Sequence, residues 1–260
     1  MRCSIVLLAA VMFCLSAAPV WSYQRGGLEV EIVSDRGDTF YAMLFKEIQQ
    51  GRTHVIKKYL EARRGENYSI VIRNNTSDTI GVVIAADGRN IISGKKSYLG
   101  NNEMMYIVDP YGSAKYEGWR TDNDTVHRFY FTDVKDSYSM RTFNDSSAMG
   151  VIAIAAFREK ERPMVYKQMS RENAPAASQA PLRGELKKSE SDAAGTGFGN
   201  EKYSPVIKVE FEPENVPFEK VLVKYEWHEV LCKKGILKCS PEAKSRLWDE
   251  REYAPFPPGY

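Results

Sequence analysis

The chain has 260 residues, 43% of them hydrophobic and 27% charged, with a formal net charge of +2. That length allows one large β domain or two small ones and a sizeable core. A balance so close to neutral argues against a dedicated nucleic-acid binder, which carries a basic excess, and against long-range steering of a charged partner.

Residues 1–22 read as a secretory signal peptide. Arg2 is a short basic start, Ile5 to Leu15 is an apolar run too short to span a bilayer comfortably, and Val20-Trp21-Ser22 offers a cleavage point before Tyr23. Cys14 follows Met12-Phe13, which are too bulky for a lipoprotein cleavage site. The expected mature protein, Tyr23 to Tyr260, is exported to the periplasm or to the cell surface and beyond. No later apolar stretch approaches a membrane span, so no transmembrane anchor is expected in it.

Strand signals then dominate, and residues 23–166 read as a β-sandwich core. Leu28-Glu-Val30-Glu-Ile32 alternates with period two, the signature of a strand with one buried and one solvated face. Tyr68 to Ile72 and Ile80 to Ala86 flank a polar turn, and Asp87-Gly88 is a hairpin signal because both residues tolerate positive φ. Met105 to Val108 and Phe129 to Phe131 add strands. Met149 to Phe157 is Ala- and Gly-rich, but its β-branched residues and short length predict a central buried strand.

From 167 to 202 the chain is rich in small, polar and charged residues, which predicts a flexible linker or disordered loop. Residues 203–260 are expected to complete the same sandwich. Val206 to Phe211 and Val221 to Trp227 both alternate, with Pro213 and Pro217 between them, which predicts a hairpin. One short helix is expected at Ser240–Trp248, with Ser240 as N-cap and Pro241 at the first position. A Pro-rich extended tail follows. The whole pattern predicts an all-β, antiparallel, jelly-roll-like sandwich with one short C-terminal helix and one long flexible loop.

Cys3 and Cys14 leave with the signal peptide, which isolates Cys232 and Cys239. A lone pair this close in an oxidising compartment is expected to form a structural disulfide. A catalytic dithiol would have two intervening residues rather than six.

The catalytic and cofactor motifs fail. Ser93-Gly-Lys-Lys96 has Ser-x-x-Lys spacing but follows a predicted strand instead of opening a helix. Gly195-Thr-Gly197-Phe-Gly199 falls in the predicted linker and reads as a hinge, not a dinucleotide loop. His54, His127 and His228 lie on separate segments without ligand spacing, so no metal site and no cofactor are expected. Asp122-Asn123-Asp124 is oxygen-rich but lacks the full calcium-loop pattern and reads as a turn. Glu117, beside Trp119, is the carboxylate to single out for hydrolysis of a glycan, which would need a second one across a cleft.

Aromatic residues give the strongest binding signal. Tyr98, Tyr111, Tyr116 and Trp119, with Tyr106 among them, lie in a stretch punctuated by Asp109-Pro110, Gly112 and Gly118. On loops at the sandwich edge they would form a stacking platform for sugars or peptides; otherwise they cap the core.

Several segments carry a resemblance. Asp87 to Lys95, Tyr116 to Arg120, Arg128 to Phe131, Ser147 to Gly150, Lys224 to Trp227, the cysteine pair and Arg246 to Asp249 resemble a group of exported bacterial proteins with no assigned activity. The resemblance implies a bacterial source and an envelope address, and it brings no catalytic residue. The expectation is an exported envelope protein that binds or assembles, with a glycan or another envelope protein as partner. The alternative is a carbohydrate-active hydrolase with a carboxylate pair. A flat aromatic patch would favour binding; two close carboxyls beside Tyr116 and Trp119 would favour the enzyme.

Overall fold

A computed structural model of the protein describes residues 27–160 and 193–239. The expected signal peptide, the last residues of the expected core (161–166), residues 167–192 of the expected linker, and the helix and tail expected from Ser240 onward lie outside the described residues.

In chain order the strands are β1 (Leu28–Ser34), β2 (Ala42–Gln50), β3 (Thr53–Ala62), β4 (Asn67–Asn74), β5 (Ile80–Ala86), β6 (Arg89–Asn90) and β7 (Tyr106–Val108). Then follow β8 (Ser113–Tyr116), β9 (Gly118–Arg120), β10 (Thr125–Asp133), β11 (Val151–Arg158), β12 (Ala194–Thr196), β13 (Glu201–Tyr203) and β14 (Glu219–Trp227). Two short helices, α1 (Tyr138–Phe143) and α2 (His228–Lys233), follow β10 and β14.

These strands form two seven-stranded sheets packed as an all-β sandwich. The first has the order β1-β4-β10-β12, with β8 on β4 and with β9 and β13 on β10. The second has the order β2-β3-β14-β11-β5-β6, with β7 on β5. The expected antiparallel pattern is broken once, where β14 runs parallel to β3 from Glu219↔His54 to Trp227↔Ala62.

Alternation explains the core. β1 turns Leu28, Val30 and Ile32 inward, β4 Tyr68, Ile70 and Ile72, and β14 Val221, Val223, Tyr225 and Trp227. Each large side chain fully buried here contributes roughly 1.5–3 kcal/mol. Tyr68 stacks on Phe129 and Phe131, and Phe131 meets Tyr225 of the opposite sheet at 5.2 Å between ring centroids. β5 is buried at every position because its outer face is covered too. Val83 packs there with Ala155, Phe157, Leu99 and Met105, while Phe211 lies over Gly81.

Asp87 and Gly88 adopt the positive φ values (47° and 76°) that the hairpin between β5 and β6 requires. Two other expectations are corrected. The expected hairpin of Val206–Phe211 with β14 does not form, because β3 and β11 already occupy both edges of β14. That segment is extended outside the sheets, with Ile207 87% exposed. The expected linker ends early: β12 and β13 pair with β10, and all three residues of β12 are buried. Helices α1 and α2 left no sequence signal, since they span six residues each, too few for periodicity. Local chemistry defines α1: Ser137 caps its start by accepting from the Met140 N–H, and Asn144 ends it in the left-handed region.

An aromatic pocket as candidate functional site

The four aromatics expected to form one platform separate into two kinds. Tyr98 and Tyr111 are exposed, at 79% and 73%, while Tyr116 and Trp119 belong to the core. Tyr116 packs on Tyr106 at 4.4 Å between centroids, and burial pushes its phenol well above the usual tyrosine range. Trp119 donates its indole N–H to the Gly197 carbonyl at 2.9 Å. A four-residue surface platform is therefore corrected: two of its members are withdrawn by burial on β8 and β9.

Trp119 nevertheless leads to a site. It begins a file of rings in which Tyr138 lies 4.5 Å from Trp119, Phe198 lies 5.2 Å from Tyr138, and His127 lies 4.1 Å from Phe198. The file emerges at an open pocket of about 420 Å³ lined by Tyr130, Asp136, Tyr138, Arg141, Thr142 and Phe198. β10 supplies Tyr130, the turn before α1 supplies Asp136, α1 supplies Tyr138, Arg141 and Thr142, and the chain leaving β12 supplies Phe198. Aromatic walls with one carboxylate and one guanidinium in the lining suit a ring-bearing ligand with polar substituents.

Glycines allow this assembly. A Cβ at Gly197 would lie 2.1 Å from the Tyr130 Cζ, and one at Gly195 would lie 2.7 Å from the Ser137 Cβ. The Gly197 and Gly199 N–H groups donate to the Tyr130 and Arg128 carbonyls, both at 2.8 Å. The glycine-rich run expected to be a hinge is a paired backbone ribbon on which the pocket is built. Composition alone hides this, because the run contributes backbone rather than apolar side chains.

The other candidates resolve individually. Glu117 sits between Lys202 (2.8 Å) and Lys115 (3.2 Å). Burial would raise its carboxyl, but those lysines outweigh burial and hold it below the usual range, the wrong direction for a general acid. The Asp122 carboxylate accepts from the Asp124 N–H, while the Asp122 and Asn123 carbonyls accept from Arg120, so the segment is a turn closed by its own hydrogen bonds and a guanidinium. Ser93 accepts from the Lys95 N–H, and Lys96 lies 3.6 Å from Asp145, so that motif is a turn with an ion pair. Cys232 and Cys239 form the expected disulfide, with 5.6 Å between Cα atoms. No helix among the described residues is long and apolar enough to cross a membrane.

A buried polar seam escaped the sequence reading. The Asp87 carboxylate accepts from the Gly150 N–H (2.7 Å), the Thr196 N–H (2.6 Å) and the Tyr225 hydroxyl (2.5 Å). The chain continues through the Thr196 hydroxyl to the Tyr68 hydroxyl, bridging the two sheets. Burial pushes Asp87 up to about 6 despite these hydrogen bonds. Asp87 is 1% exposed, so the seam joins the sheets rather than facing a ligand. Compared with family models, with curated proteins and with solved structures, the chain finds no match.

Proposed function

We propose that this is an exported envelope protein that binds a glycan in the pocket between β10, α1 and Phe198, without cleaving it. The single observation that carries the reading is the ring file whose middle members, Tyr138 and Phe198, line a pocket together with Tyr130, Asp136 and Arg141. The pocket has one carboxylate, Asp136, and Glu117 is held ionised between two lysines, so a hydrolytic acid–base pair has no support at this site. The export address rests on the signal-peptide pattern of residues 1–22 and on the resemblance to exported bacterial proteins.

Titration with soluble peptidoglycan fragments, followed by intrinsic fluorescence, tests the reading. Binding should quench or shift the emission, because Trp119 and Tyr138 belong to the same file. Phe198→Ala should weaken binding at least about fivefold, since an aromatic stack is worth about 1 kcal/mol beyond its buried area. Tyr98→Ala should leave binding unchanged. Equal affinities for wild type and Phe198→Ala would remove the pocket from consideration.

A further inference from the structure

We propose that the Cys232–Cys239 pair, once reduced, forms with His228 a three-ligand site for a soft divalent cation, Zn²⁺. Among the described residues, His228, Cys232 and Cys239 are the one group of at least three His, Cys, Asp or Glu side chains with donor atoms close enough for a metal, all within 4.8 Å. The fold accounts for the meeting. His228 and Cys232 are four residues apart on α2, hence on one face of the helix. Gly235 takes φ +69° and its N–H donates to the Cys232 carbonyl, which turns the chain so that Cys239 returns to the same face.

The histidine is oriented for ligation. His228 Nδ1 lies 3.0 Å from Glu61 Oε1 on β3, so the carboxylate holds the ring proton on Nδ1 and leaves the Nε2 lone pair free. Nε2 lies 3.7 Å from Cys239 Sγ. Zinc–sulfur and zinc–nitrogen bonds of tetrahedral sites imply a ligand–ligand distance of about 3.6 Å, which this separation already matches. A carboxylate–histidine pair beside two sulfurs goes beyond what a structural disulfide requires. Exposure of Cys239 leaves room for a solvent ligand in the fourth position.

The exchange balances with a dithiol as reductant. The dithiol gives two electrons and two protons, the Cys232–Cys239 bond breaks, and the dithiol becomes a disulfide. Zn²⁺ then binds the two sulfurs as thiolates, and their protons pass to solvent. The oxidised protein lacks both thiolates and has no site. Binding is thereby gated by redox state, and it shares no residue with the aromatic pocket.

The test uses the full chain carrying Cys3→Ser and Cys14→Ser, so that two thiols remain. The protein is reduced with dithiothreitol, desalted without oxygen, and titrated with Zn²⁺ against a chromophoric chelator, with Co²⁺ as a spectroscopic substitute. The reduced protein should bind one equivalent and show thiolate-to-cobalt charge-transfer absorption, while the oxidised protein binds none. His228→Ala should weaken binding at least tenfold and Glu61→Gln by about tenfold, each with its thermal transition retained. The proposal is overturned if the reduced protein binds no Zn²⁺, if it loses its native thermal transition, or if His228→Ala binds as tightly as wild type.

Discussion

Asp87 concentrates several requirements in one side chain. Its backbone takes the positive φ of the β5–β6 turn, while its carboxylate ties β12 and β14 to the start of β11. Asp87→Ala leaves two buried N–H groups and a hydroxyl without their acceptor, so a loss of at least about 3 kcal/mol is expected. The folded carboxyl titrates near 6, pushed up by burial, while an unfolded aspartate titrates near 3.9. Between those values the folded state holds more protons than the unfolded one. The stability this supplies is complete below about pH 4 and lost as pH rises through about 6. Urea unfolding of wild type and D87N from pH 4 to 7 isolates the effect, because the other carboxylates titrate in both. Wild type should lose about 2 kcal/mol relative to D87N across that range. Parallel curves would show that Asp87 does not titrate there.

At the scale of elements, β12 and the ribbon leading to β13 carry the pocket. Gly197→Ala must displace the Tyr130 ring or the strand beneath it. Overpacking of this kind costs about 1–3 kcal/mol, and it should also weaken any ligand that Tyr130 and Phe198 hold; thermal unfolding and the fluorescence titration read the two effects separately. A stable Gly197→Ala protein with unchanged binding would mean that Tyr130 has space to move. The same ribbon shows where sequence reasoning stops. β1, β4, β5 and β14 were legible because side-chain alternation or a continuous apolar run records burial directly. β12 was not, since its contribution lies in backbone hydrogen bonds and in the absence of Cβ atoms. Val206–Phe211 shows the converse: it alternates like a strand, yet Ile207 and Val209 are exposed, and it is held by the Val206 N–H donating to the Asn123 carbonyl and by Phe211 over Gly81. Alternation reports a capacity to pair, and the free edge must come from elsewhere in the chain. Of the candidate aromatics, Trp119 was found through its residue type, but its partners Tyr138 and Phe198 come from segments distant in sequence.

At the scale of the molecule, the chain after residue 193 is integral to both sheets. β12 and β13 extend the first sheet along β10, and β14 fills the second between β3 and β11. Without β14, the second sheet divides into a β2–β3 ribbon and a separate β11–β5–β6 group. The core also loses Val221, Val223, Tyr225 and Trp227, and the seam loses the hydroxyl that Tyr225 donates to Asp87. Four large buried side chains represent roughly 6–12 kcal/mol, comparable with the whole stability of a domain, about 5–15 kcal/mol. A chain ending at Lys160 should therefore have no cooperative thermal transition and no dispersed amide spectrum, although it keeps all eleven strands before β12 and most of the apparent core sequence. A cooperative transition in that fragment would mean that the first 160 residues form a domain by themselves. The closing strand would then be an attachment to a finished sheet, and the parallel β3–β14 pairing would be incidental to the fold.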